Sequence, residues 1–132
     1  MPGNPRSPLR WVVAALLLVT AAVHLPLVPA HLREAPYVGV LFIALAVICT
    51  ILAGAMVLHD SPMVWELSGA VTLLALVAFL ASRTIGLPQI GDDIGNWTEP
   101  LGFPTIAAEL LTALVVAYAL RQRYILQRKG IS

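Results

Sequence analysis

One acid stands well inside an apolar segment of this chain. Glu109 lies five residues beyond Pro104, in a run that stays apolar to Leu120. At ~1.5 Å per helical residue it sits ~7–8 Å along that segment. A carboxylate at such a depth must be paired, hydrogen-bonded or protonated, which makes it the first candidate for function. Arg83, at the end of the preceding apolar run, is its expected partner, because adjacent antiparallel helices bring those two ends together. A structural Arg83–Glu109 pair is weighed against a proton- or ligand-linked role for Glu109 and against snorkelling to the interface.

A second group of chemically capable residues lies in HLPLVPAHLREAPY, residues 24–37. His24 and His31, with Glu34 close behind, offer imidazole and carboxylate ligands for copper or zinc, and Asp92 and Asp93 are further candidate ligands. Prolines interrupt the register between the two histidines, so the spacing itself does not define a metal site. Haem is disfavoured, since axial histidines normally face each other from within a bundle. No cofactor is predicted, and copper or zinc stands only as an alternative to histidines bonded to backbone. The candidate ligand or ion-pair cluster is Glu109, Arg83, His31, Glu34, Trp97 and Glu99; the candidate metal set is His24, His31, Asp92 and Asp93.

No nucleophile has a base and an orienting acid beside it. Ser61 follows His59-Asp60, but with Pro62 after it the residue reads as a helix N-cap. GLPQIGDDIG lacks the Lys-Ser/Thr of a phosphate-binding loop. The spacing of Asp92 and Glu99 lacks the ligand series of an EF-hand. The chain is therefore read as non-enzymatic.

The elements that position these residues are membrane helices. Of the 132 residues, 59% are hydrophobic and 11% charged. A water-soluble domain carries about a quarter charged residues, so lipid must be the solvent for most of this surface. The expected fold is all-α, a transmembrane bundle of four antiparallel helices at about 11–28, 37–58, 63–82 and 104–121. An ordered extracytoplasmic loop, 83–103, joins the last two. Pro26, Pro29 and Pro36 are expected to break helix continuity across residues 24–37. The loop carries four glycines and two prolines from Ile85 to Gly102, interleaved with apolar residues, and is expected to fold back over the bundle mouth with Trp97 at headgroup level. In the second helix Ala46, Thr50 and Gly54 form a small-residue stripe suited to close helix approach.

Residues 1–132 read as a single integral membrane domain, with a mobile tail at 1–10 and a basic tail at 122–132. Arg6 and Arg10 before the first apolar run also fit a signal peptide, but Pro29 and the long apolar extension favour a retained helix. With both termini cytoplasmic, six basic residues (Arg6, Arg10, Arg121, Arg123, Arg128, Lys129) lie inside and only Arg33 and Arg83 outside. The orientation is read as N-in, C-in, in a bacterial plasma membrane. Cys49, the single cysteine, lies within an apolar run and reads as a small buried hydrophobe. The net charge of +1 and the absence of a basic patch point away from nucleic acid.

HLREAPYVGVLF (31–42), SRTIGLP (82–88) and WTEPLG (97–102), followed by Glu109, resemble a group of small, uncharacterised four-helix membrane proteins of actinobacteria. The resemblance covers roughly residues 20–110. It implies a four-span membrane protein and no activity. Its motif positions are His31, Glu34, Arg83, Trp97, Glu99, Pro100 and Glu109. The sequence thus supports a partner subunit, or a small-ligand or metal-binding membrane protein, that uses its outer face. Partners are the lipid bilayer and, as candidates, another membrane protein or a second copy. The alternative is a small oligomeric transporter with Glu109 as coupling carboxylate. The first helix has no acid, which departs from the small multidrug-resistance pattern.

Overall fold

The computed structural model describes residues 7–130. Every regular element among them is helical. The elements are α1 (Leu9–His24), α2 (Val28–Glu34), α3 (Pro36–His59), α4 (Pro62–Thr84) and α5 (Gly102–Arg128), with 3-10 turns at Leu25–Leu27 and Gly91–Asp93. Four stretches are long and apolar enough to cross a membrane: Leu9–Glu34, Pro36–His59, Pro62–Thr84 and Gly102–Arg128. At 1.5 Å per residue the shortest covers about 35 Å, more than the ~30 Å hydrocarbon core. The expected mobile tail at 1–10 falls partly on residues 1–6, which lie outside the described residues. Leu9 and Arg10 are already helical.

The three prolines do not open residues 24–37 into a connector. Pro26 falls within the 3-10 turn, and Pro29 is the second residue of α2. Near the start of a helical segment a missing N–H costs nothing, so helical turns stack past both. The break comes at Ala35, held extended (φ −148°, ψ 87°) by the Pro36 that follows and begins α3. α2 then lies on α3 at Gly39, where a Cβ would stand 2.8 Å from the Leu32 backbone nitrogen. Only glycine permits that approach. At the next turn Ser61 caps α4, accepting from the Val64 N–H at 3.4 Å, and Pro62 is the first helical residue.

α1 packs chiefly against α3 and α5, and α4 chiefly against α5; the α3–α4 seam is the sparsest of the four. Buried residues recur every three or four positions. They include Val13, Leu17, Ala21 and His24 on α1, Ala46, Cys49, Ala53 and Met56 on α3, Trp65, Ser68, Thr72 and Leu76 on α4, and Thr105, Ala108, Thr112, Val116 and Ala119 on α5. Many are small, which lets backbones approach when lipid supplies no hydrophobic driving force. The buried threonines satisfy their hydroxyls on their own helices: Thr20 donates to Leu16 O (3.0 Å), Thr72 to Ser68 O (2.7 Å) and Thr112 to Ala108 O (2.7 Å). Large aliphatic side chains such as Leu41, Ile51, Leu74 and Leu114 point outward instead. That inversion suits a lipid solvent and would leave a water-facing surface unsustainably apolar. Of the expected small-residue stripe on α3, Ala46 is buried while Thr50 and Gly54 are exposed.

Both bundle ends are tied by acids. At one end, Asp60 accepts from the Ser7 N–H (2.8 Å), Trp65 Nε1 and Arg123 Nη2 (2.8 Å). These contacts gather the start of α1, the α3–α4 turn and the far part of α5. The opposite end holds His24, Arg83 and the loop between α4 and α5.

Candidate functional site

That loop, residues 85–101, is ordered by its own backbone. The Gly86 N–H reaches back to Ala81 O (2.8 Å), closing α4, and the Gly95 N–H bonds Arg83 O (2.7 Å), bringing the chain back onto the same helix end. Gly86 has φ +88°, and a Cβ there would meet Ile94 at 2.8 Å, so this turn requires glycine. Ile90 is buried against Ala35 and Val38, with Leu87 and Phe42 beside them. Tyr37 donates its hydroxyl to Pro88 O (2.7 Å), fastening the loop to α3. The loop does fold back over the helices, as its apolar residues suggested. Trp97, Ile85 and Ile94 stay exposed rather than packing beneath it.

Arg83 joins loop to bundle. Its side chain is 5% exposed. Nη1 donates to Ser82 Oγ (3.0 Å) and lies 3.3 Å from Asp93 Oδ2, Nη2 bonds Glu99 Oε2, and the guanidinium stacks 4.4 Å from the Phe79 ring centroid. The expected Arg83–Glu109 pair is therefore replaced by Arg83–Glu99 and Arg83–Asp93. The loop acids can swing up to the guanidinium, whereas Glu109 is fixed two turns inside α5 and faces α1.

Glu109 is fully buried, and neither carboxyl oxygen has a hydrogen-bond partner among the described residues. The imidazole of His24 faces it, with Nε2 3.8 Å from Oε1. His24 is 5% exposed. Its Nδ1 is 2.7 Å from Thr20 O. A carbonyl oxygen only accepts, so Nδ1 carries the hydrogen and Nε2 is turned to Glu109. His31 repeats this geometry one segment later, with Nδ1 2.8 Å from Leu27 O. The two imidazoles flank Phe42, with centroids at 5.0 and 4.8 Å.

Both histidines line a cavity of about 350 Å³ along the α3–α4 seam. Its walls are Leu41, Ala44, Leu45 and Ile48 of α3 and Val71, Leu74, Ala75 and Ala78 of α4. Its polar groups come from His24, His31, Tyr37, Ser82, Thr105 in the first turn of α5, and the Arg83–Asp93–Glu99 cluster, all toward the Arg83 end of the seam. Roughly 18 Å of α4 separates Val71 from Arg83. The cavity is a long apolar slot with one polar end.

The candidate residues divide accordingly. Arg83, Glu99 and Asp93 come together; His24 and His31 share the cavity wall; Glu109 stands behind His24. Glu34 and Asp92 are exposed. Trp97 lies outside the cavity lining. The candidate metal set is not assembled: no three histidine, cysteine or acidic side chains converge among the described residues. Each histidine Nδ1 is engaged by its own helix, and Asp93 by Arg83. His59 ends α3 at the Asp60 end, far from these groups. The His24–Glu109 juxtaposition was missed from sequence. Its signal was the buried spacing Val13, Leu17, Thr20, His24, which carries the interior stripe of α1 through to the histidine.

Comparison with protein families, with curated proteins and with solved structures finds no match to this chain. The four helices, each long and apolar enough to cross a bilayer, are consistent with a small multi-pass membrane protein.

Proposed function

We propose that this is a non-enzymatic membrane protein that binds a small amphipathic ligand in the α3–α4 cavity. One observation carries the reading: an apolar slot between two lipid-facing helices, with polar side chains concentrated at one end. Ligand sites are concave, mostly apolar and fitted with a few convergent polar groups, and about 350 Å³ falls at the lower end of their usual range. The flanking residues Leu41, Ile48 and Leu74 are exposed to lipid, so a ligand can enter sideways from the bilayer.

The test is native mass spectrometry of the purified protein with a dodecyl-chain amphiphile. Ala78 lines the slot from α4. Ala78→Trp should fill it from a position that does not disturb the bundle interior, weakening binding at least about tenfold, roughly 1.4 kcal/mol. Unchanged binding by the tryptophan variant would remove the cavity from consideration.

In this reading the four helices run antiparallel in a bacterial plasma membrane, with the Asp60 end cytoplasmic and the Arg83 end outside. The distribution of arginine and lysine supports that orientation. A cysteine placed at Asp93 should react with a membrane-impermeant thiol reagent in intact cells, and one at Gln127 only after lysis. Cys49 is fully buried and should stay silent. The reverse pattern would invert the topology.

A further inference from the structure

The His24–Glu109 pair has an unusual proton count. Nδ1 of His24 holds a hydrogen on Thr20 O, leaving Nε2 to face Glu109 Oε1 across 3.8 Å. Among the described residues Glu109 has no other polar partner, and it has no exposure to solvent. With no proton between them, a bare carboxylate would face an imidazole lone pair in a water-poor interior, which is prohibitively costly. With two, the pair would carry a net buried positive charge. One proton leaves it neutral, whichever atom holds it.

The neighbouring titratable groups do not change this count. His31 of α2 is bonded to its own helix at Leu27 O, and Cys49 of α3 is a buried thiol. Arg83 of α4 is occupied by Asp93 and Glu99, one cation against two carboxylates. The polar end of the slot therefore carries no free positive charge and a local excess of negative charge. An anionic head group would be repelled there. A cationic one would be drawn to Asp93 and Glu99, where it competes with Arg83, and away from His24 Nε2.

His24 lines the cavity and Glu109 does not. Only the imidazole can offer this proton, or its vacant lone pair, to a ligand. We infer that the His24–Glu109 pair holds one proton in total and that, because 3.8 Å is too long for a direct hydrogen bond between them, His24 Nε2 recognises a hydroxyl head group on an uncharged single-chain amphiphile lying in the α3–α4 cavity. A hydroxyl both donates and accepts, so it satisfies Nε2 wherever that proton resides. The inference rests on the amphiphile-binding reading above and specifies its head group.

The experiment compares 1-dodecanol, dodecanoate and dodecylamine, which share one tail, by native mass spectrometry on the wild type, H24N and E109Q. His24→Asn keeps a nitrogen where Nδ1 bonds Thr20 O and removes Nε2; Glu109→Gln keeps the shape and removes the acid. Dodecanol should bind best to the wild type, with the preference over dodecanoate falling at least about tenfold in H24N. Infrared spectra should show the Glu109 carboxyl band, identified by its loss in E109Q, shifting when dodecanol is added to the wild type and staying fixed in H24N. Binding of all three amphiphiles with equal strength, or tighter binding of the amine or the acid, would overturn the hydroxyl assignment while leaving the cavity reading intact. A carboxyl band that ignores dodecanol would do the same. Failure of every amphiphile to bind, with Ala78→Trp making no difference, would overturn both.

Discussion

Arg83→Met should release the loop 85–101 from the helix bundle. The substitution keeps an apolar stem against Phe79 but removes the cation shared by Asp93 and Glu99. Breaking a buried pair from one side costs about 3–5 kcal/mol, because the partner charge is left without compensation. Here the acids are 21% and 27% exposed, so they escape to water by lifting the loop. The cost is then reduced to about 2–4 kcal/mol and appears as local opening rather than bundle unfolding. Hydrogen exchange separates the two outcomes. The Gly95 N–H, bonded to Arg83 O, should lose protection, while amides of α1 and α3 around Leu17 and Cys49 keep theirs. Arg83→Lys should fall between, since an ammonium cannot fork to two carboxylates. Adding Asp93→Asn and Glu99→Gln to Arg83→Met should restore much of the loss, because it removes the stranded charges. If the triple variant is as open as the single one, the opening comes from the lost guanidinium bonds and not from stranded charge; if Arg83→Met leaves the loop closed, Ile90 and Tyr37 hold it.

The four spans and most of their ends were legible because each depends on local chemistry: an uncharged run of hydrocarbon length, Pro36 opening α3, Ser61-Pro62 opening α4. The polar pairing was not legible, for two physical reasons. Prolines at 26 and 29 suggest a break in the helix, yet each falls where a helical segment begins, so His24 looks like a residue flanking a connector when it is the last residue of an interior stripe. And α5 is apolar on nearly every side, so hydrophobic pattern leaves its rotation unset. Glu109 could as well have faced α4 and Arg83 as α1 and His24. Only the packing of α1 against α5 fixes that choice, and it also frees Arg83 for the acids of the loop. The same interior explains why the cavity could not be foreseen: Ala44, Ala75 and Ala78 look like close-packing residues in sequence, but on the sparsest seam they leave space.

At the opposite end, Asp60→Ala should destabilise the whole bundle. The carboxylate, 2% exposed, is the common acceptor for the Ser7 N–H, Trp65 Nε1 and Arg123 Nη2. Trp65 is fully buried, and the Arg123 guanidinium lies 5.4 Å from its ring centroid. Without the acid, the indole N–H and the arginine lose their acceptor together. Asp60 also sits in the left-handed region (φ 38°, ψ 47°), which aspartate and asparagine tolerate better than alanine. The combined loss should be about 3–5 kcal/mol, read as a lower melting temperature in detergent together with a red shift of Trp65 emission. Two further variants separate the causes. Asp60→Gly relieves the backbone but not the lost acceptors, so it should remain nearly as unstable as alanine if the carboxylate carries the effect. Asp60→Asn keeps the backbone preference and one acceptor oxygen but loses the charge, so it should recover roughly half. Glycine recovering to the wild-type melting temperature would assign the effect to backbone conformation alone. In that case α1, α4 and α5 would owe their alignment at this end to packing around Met56 and Trp65, and not to the acid that joins them.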